Sequence, residues 1–378
     1  MPYEAQSLSR RSFIKAGISA AALFAVGGGA FLSQPKIGAR PQGERKERIL
    51  ASPHFVNGAF QNLEPIAQLT QGGDMFKTLW DIVCPTKGYL VPEQAILHQK
   101  TDLYALDPSE NVVVWMGHSS FYLQMHGKRL LIDPVFSAYA SPVFFINRAF
   151  AGSNVYHAED IPPLDALVLS HDHWDHLDYA TVMALKPKVQ AVLCPLGVGA
   201  HFEAWGFPAE IIHEGDWNDE IPLAPDFSVH ILPSRHFSGR LFERNQTEWC
   251  GFAFVAPNIK VYYSGDGGYG QHFKTIGEKF GSFDLAIMED GQYNKHWPLV
   301  HMFPRQTAQA IIDVHAQKAF PVHAGKFVLS NHRWQAPYEK LLQASVGKDY
   351  ALLTPEIGEK IEIQGTKQEF NPWWRAMD

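Results

Sequence analysis

From Asn111 onward, short apolar runs alternate with turn residues. The stretches NVVVWM, SFYLQMHG, KRLLIDP, DALVLS, VQAVLCP, AEIIHEG, FSVHILPS, CGFAFVAP, KVYYSG and FDLAIMED are short, rich in β-branched or aromatic residues and bounded by turn formers, so each predicts a strand. Helical periodicity falls between them, in YATVMALK, VGAHFEAWG, QHFKTIGEKF and RQTAQAIIDVHAQK, the last just after Pro304. Hairpin spacing early and strand–helix alternation throughout predict an α/β fold of two sheets covered by outer helices. No period of solenoid length recurs.

The N-terminal part reads differently. SRRSFIK, with Arg10, Arg11, Phe13 and Lys15, precedes an uncharged run of small and apolar residues, the order of an export signal. The arginine pair resembles a twin-arginine signal, which implies the twin-arginine export machinery as a partner and a periplasmic or envelope-associated location in a bacterium. The apolar run is short and glycine-rich beside the ~20 apolar residues of a spanning helix. It has no clean A-x-A site, so both cleavage and retention as a tether stay open. The expected organisation is therefore a signal segment over 1–34, a polar basic linker over 35–50, and one domain over 51–378 whose first part, 51–108, is irregular or partly helical and wraps the body.

Composition narrows the chemistry. The 378 residues are 46% hydrophobic and 19% charged, with a net charge of −7, which is the make-up of a globular protein and not of a nucleic-acid-binding surface. Three scattered cysteines, Cys84, Cys194 and Cys250, form neither a disulfide framework nor a CxxC knuckle. Any metal must then be held by histidine and carboxylate.

Such residues are concentrated in SHDHWDHLD, Ser170 to Asp178, directly after the predicted strand ALVLS. His171 and His173 in the loop leaving that strand can converge on one ion, and Asp175 and His176 can turn toward a second. Imidazole and carboxylate suit Zn, Mn or Fe. So many ionisable groups beside a buried strand would be costly without a cation. Asp178 fits an N-cap for the following helix. Further candidates occupy equivalent places after apolar runs: His236, Asp266 and His323.

These motifs resemble those of the metallo-β-lactamase-fold hydrolases. HxHxDH is present as His171, His173, Asp175 and His176, and SRHFSGR, YYSGDGGYG and FPVHAGKF look like the later His, Asp and His motifs. The resemblance runs from about Ser52 to Val346. It is closest to the branch containing N-acylphosphatidylethanolamine-hydrolysing phospholipase D and the ascorbate-6-phosphate lactonase. It implies a four-layer αββα sandwich, one metal on His171, His173 and His236, a second on Asp175, His176 and His323, and Asp266 bridging. It further implies two divalent ions, zinc first, with manganese or iron as alternatives.

Two such cations would make hydroxide available near neutral pH and stabilise charge on the attacked group, with Asp175 orienting that hydroxide. His301, in PLVHMFP, matches a histidine near the active site of the phospholipase branch and is assigned the proton to the leaving oxygen. Asp133 in LLIDP and His118 in MGHSS are candidates to buttress the ligands from behind; a turn aspartate and a loop histidine are the alternatives. Arg240 and Lys326 are candidates to bind an anionic group of the substrate. Glu289 and Asp290 depart from the branch, which tends to have small neutral residues there. The expected reaction is hydrolysis of a phosphodiester in a small molecule or phospholipid. The alternatives are a lactonase or carboxylic-ester hydrolase, and a non-catalytic metal-binding envelope protein. Trp373 and Trp374 in PWW suggest either peripheral membrane contact or a buried tail.

Overall fold

The computed structural model of the protein describes residues 31–66, 75–241, 243–365 and 368–377. The basic pair and apolar run of the expected signal segment, within residues 1–30, lie outside the described residues. Among the described residues no helix is long and apolar enough to cross a membrane.

A small hairpin, Phe55–Val56 (β1) with Ala59–Phe60 (β2), precedes two seven-stranded sheets. The first is built from Val112–Trp115 (β3), Phe121–Met125 (β4), Lys128–Ile132 (β5), Ala166–Val168 (β6), Val192–Pro195 (β7) and Ile212–Gly215 (β8). The second contains Glu220–Ala224 (β9), Phe227–Leu232 (β10), Gly251–Ala256 (β11), Ile259–Tyr263 (β12), Leu285–Glu289 (β13), Lys318–Val322 (β14) and Ala351–Leu352 (β15). The chain then returns as Lys360–Glu362 (β16) to the edge of the first sheet, giving the orders β16-β3-β4-β5-β6-β7-β8 and β15-β14-β13-β12-β11-β10-β9.

Each sheet starts antiparallel and turns parallel, from β5 to β8 in one and from β12 to β15 in the other. Parallel neighbours need crossovers, and helices supply them: Tyr179–Leu185 and Gly199–Ala204 on the first sheet, His272–Phe280, Pro304–Asp313 and Ala336–Ala344 on the second.

Side chains alternate between two buried environments. Val113 and Trp115 of β3 face Phe252 and Phe254 of β11 in the core between the sheets. Val112 and Val114 face outward, with Val182, Leu185 and Phe202 of the first sheet's helices. On the other side Ala253, Tyr262 and Met288 meet Phe273, Ile276 and Ile311. Burial on both faces explains why these strands read as continuous apolar runs and not as alternating ones. The four layers are the expected αββα sandwich.

One expectation fails for an identifiable reason. The segment 35–50 is not a linker: Gly43–Ala51 is helical and buries Ile49, and Arg45 and Arg48 both reach the buried carboxylate of Glu214. Its basic composition was misleading because the acid that pairs with it lies far along the chain. Of the two readings of PWW, the buried tail is the one found. Trp373 and Trp374 are buried and pack with Trp115, Trp334 and Tyr338. Among the described residues of 51–108, the chain is largely irregular apart from β1, β2 and the helix Met75–Val83. In that helix the usual amphipathic order is inverted. Thr78 is buried and accepts from Asn331, whereas Phe76 and Trp80 are 78% and 58% exposed.

Candidate metal centre

Parallel packing aligns strand C-termini at one edge, and every residue of the site leaves from such an end. His118 follows β3, Asp133 β5, His171 β6, His236 β10, Asp266 β12, Glu289 closes β13 and His323 follows β14. The local backbone is tight where the carboxylate enters. Gly265 has φ +59, and a Cβ there would lie 2.2 Å from the Cys250 carbonyl oxygen, so only glycine delivers Asp266 at this point.

Three imidazoles face one point: His171 Nε2 and His236 Nε2 lie 2.9 and 3.3 Å from His173 Nδ1. A second group contains His118, Asp175, His176 and His323, all with ligating atoms within 4.8 Å of one another. Asp266 lies between the groups. Its Oδ2 is 3.1 Å from His176 Nε2, 3.9 Å from His236 Nε2 and 4.0 Å from His171 Nε2, and its Oδ1 is 3.2 Å from His323 Nδ1. The seven residues expected as ligands thus meet at one place. Asp172, inside the same motif, turns away and is held by Gly239 N–H, Thr247 Oγ and His201. Asp178 caps the next helix, accepting from Ala180 N–H.

The hydrogen bonds behind the cluster fix which atoms point inward. Asp133 Oδ2 is 2.8 Å from His176 Nδ1, and Asp133 also accepts from Ser170 N–H, Ser170 Oγ–H and Tyr263 O–H. With its Nδ1–H committed to Asp133, neutral His176 presents a lone pair to Asp266 Oδ2 and, at 3.5 Å, to Asp175 Oδ2. A lone pair facing two carboxylates in a buried site repels unless a positive charge lies between them. His236 Nδ1 lies 3.3 Å from the Val300 carbonyl oxygen, which likewise leaves its Nε2 lone pair inward. Asn62 clamps the His236 backbone through both its N–H and its carbonyl.

The electrostatics agree. Burial, reinforced by neighbouring imidazoles, holds His171, His236 and His323 well below the ordinary histidine range, in the neutral ligating form. At His176 burial works against charge, yet Asp266, Asp175 and Asp133 outweigh it and hold the ring well above that range. Without a cation, a proton on Nε2 supplies the positive charge these carboxylates demand, and the lone pair is freed only when a cation takes its place. Asp266 Oδ1, His118 Nδ1 and His323 Nε2 are buried without a hydrogen-bond partner. Unpartnered donor atoms, inward lone pairs and surplus carboxylate charge fit a pair of divalent cations.

His118 stands in the cluster, 2.8 Å from Asp175 Oδ2 through Nε2. His301 stacks against His323 at 4.9 Å and lies 5.2 Å from His236, with Nδ1 3.1 Å from Glu289 Oε1. Glu289 was visible only as a departure from a family pattern, although its place at a strand C-terminus is the signal shared by the other site residues. Burial pushes its carboxyl up to about 7, against the pull of His301.

Arg240 and Lys326 are not substrate contacts. The Arg240 guanidinium is buried over Trp174 and donates to the carbonyls of Asp172, Leu177 and Lys36. Lys326 is fully buried and donates to the Met116 and Val135 carbonyls, and burial lowers its ammonium to about 7. Both cations hold loops together. Sequence could not show this, because their acceptors are backbone oxygens brought close only by the fold. Beside His301 opens a cavity of about 540 Å³ whose lining includes Ile66, Phe237, Arg244, Trp297 and Leu329.

Comparison with known proteins agrees with this arrangement. An uncharacterized protein of Mycobacterium tuberculosis is 38% identical over 329 residues, 86% of this chain and 88% of that protein. N-acyl-phosphatidylethanolamine-hydrolyzing phospholipase D 1 of Caenorhabditis elegans is 29% identical over 285 residues, 69% of this chain and 76% of that protein. Among solved structures, a metallo hydrolase of the archaeon Ignicoccus hospitalis superposes with a TM-score of 0.52 at 18% identity, over 67% of this chain and 98% of that one, which is a likeness of fold. The family model described as the beta-lactamase superfamily domain matches residues 128–324. That span holds every residue of the cluster except His118, and the chain belongs to the β-lactamase superfamily, among the metal-dependent hydrolases that share the metallo-β-lactamase fold.

Proposed function

We propose that the protein is a binuclear hydrolase of phosphodiesters, phospholipase D-like in the bond it breaks, exported by the twin-arginine route and working in the periplasm or envelope. The observation that carries the catalytic part is the meeting of histidine ligand atoms around the carboxylate of Asp266, with its Oδ1 unsatisfied, beside a cavity. The phosphodiester is supported by the identity with the Caenorhabditis elegans phospholipase, and the location by Arg10 and Arg11 before the apolar run.

His171, His173 and His236 would hold one ion, and Asp175, His176 and His323 the other, with Asp266 shared. Zinc is assigned first because it accepts imidazole and carboxylate together. The bound pair supplies a water deprotonated near neutral pH and positive charge opposite the attacked group. The protein's own part is positioning. Asp133 orients His176, Asn62 orients His236, and His118 orients Asp175. Metal content by mass spectrometry together with a panel of bis(p-nitrophenyl) phosphate, lactones and a chromogenic cephalosporin tests the reading. Two ions per chain and turnover of the phosphodiester are expected. Turnover confined to lactones would replace it with the ester-hydrolase reading, and bound metal with no turnover would leave a scaffold protein.

His301 would protonate the leaving oxygen. Glu289 holds its Nδ1, which directs Nε2 away from the carboxylate, and the ring borders the cavity. His301→Ala should lower kcat by roughly 100-fold on a phosphodiester with an alkyl leaving group. It should do far less with p-nitrophenolate, which departs without a proton. Equal losses on the two substrates would remove the role.

A further inference from the structure

The cavity beside His301 lacks the anion contacts expected of Arg240 and Lys326, yet it has a cation of its own. The loop from Phe237 to Thr247 folds back on itself at Gly239, where φ is +134 and a Cβ would lie 2.2 Å from the Glu243 carbonyl oxygen. Asn245 then locks the return, donating its N–H to the Ser238 carbonyl and its side-chain amide to the Phe60 carbonyl. This closure sets the Arg244 guanidinium over the Phe237 ring at 4.8 Å. Phe237 in turn lies 4.6 Å from the His173 ring and 4.8 Å from the His236 ring. One aromatic ring therefore separates Arg244 from the first metal group.

The neighbouring cations are already occupied. Arg235 donates to the Tyr269 and Pro65 carbonyls, Arg40 pairs with Glu243, and Arg240 is buried on three carbonyls. Among the described residues no carboxylate pairs with Arg244, and none of the described residues lining the cavity is acidic. An exposed guanidinium stacked on a ring keeps its outer N–H groups free for a bidentate oxyanion. The amides of Gln61, Asn62 and Asn245 also line the cavity, and its apolar part is formed by Pro65, Ile66, Trp297, Val300 and Leu329.

We infer that Arg244 is the specificity residue of this cavity, binding a second anionic group of an amphiphilic substrate whose apolar arm lies on Ile66, Trp297 and Leu329. The inference rests on the hydrolase reading for the position of the scissile bond but makes its own prediction about binding. The substrate class is an ester or phosphodiester that carries, one ring's width from the bond cleaved, an additional phosphate or carboxylate.

Calorimetry on the metal-loaded protein with a matched ether-linked pair, 1-O-hexylglycerol 2,3-bisphosphate and 1-O-hexylglycerol 3-phosphate, tests this, because the phosphate common to both can take the metal centre and only the bisphosphate has a second anionic group for Arg244. Arg244→Gln should weaken the bisphosphate by about tenfold and leave the monophosphate unmoved, while Arg244→Lys should recover part of the loss. Unchanged affinity for the bisphosphate in Arg244→Gln, or an equal loss for both ligands, overturns the inference. A wild-type protein that favours the bisphosphate through Arg244 yet cleaves no phosphodiester would overturn the proposed reaction instead.

Discussion

Replacing Asp266 by asparagine is expected to lower turnover by about two to three orders of magnitude, the scale on which loss of one preorganised polar group acts in an active site. Its two oxygens address both histidine groups, Oδ2 toward His171, His176 and His236 and Oδ1 toward His323. Asparagine keeps the volume but removes the charge and one of the two acceptors. Metal content should fall from two ions toward one, because the shared carboxylate is lost to both sets. Mass spectrometry on the purified variant, run beside a rate measurement, decides the matter. A variant with two ions and wild-type kcat would show that Asp266 does not bridge.

The largest effect on stability is expected at Asp133. This carboxylate is fully buried and accepts from Ser170 N–H at 2.8 Å, Ser170 Oγ–H at 2.6 Å, Tyr263 O–H at 2.7 Å and His176 Nδ1–H at 2.8 Å. Burial and the charge of Asp133 hold the Tyr263 hydroxyl well above its ordinary range, so it remains a donor. In Asp133→Asn the amide nitrogen must face at least one of these donors, leaving a buried N–H or O–H without an acceptor. The loss should be about 3 kcal/mol, read as a lower urea midpoint at unchanged slope. Metal affinity should drop by roughly 10- to 100-fold, because His176 loses its orienting partner. A change under about 1 kcal/mol would show that the four donors find other acceptors.

What the sequence discloses here follows from how local each cause is. Ten of the fourteen strands of the two sheets are legible, most of them because burial on both faces leaves continuous apolar runs, and the motif from His171 to His176 is legible because its residues are contiguous. His236, Asp266 and His323 are legible only through their shared place after apolar runs. Charge at a distance is the harder part. Arg45 and Arg48 read as linker until Glu214 is set beside them, and Arg240 reads as a substrate contact until three carbonyls enclose it. Asp172 shows the limit within the motif itself, since adjacency to His171 and His173 does not decide that its side chain turns toward His201. The helix Gly43–Ala51 escaped notice because its stability comes from those distant pairings and not from an apolar stripe.

The site residues are drawn from two separate sheets: His118, Asp133 and the His171–His176 loop from one, His236, Asp266, Glu289 and His323 from the other. Neither half owns a complete chemistry, and the distance between them is set by how Phe121 and Trp115 seat against Tyr263, Phe252 and Phe254. That aromatic seam is therefore the gauge of the reaction. A slip of a few tenths of an ångström there would leave both halves folded and still silence the enzyme.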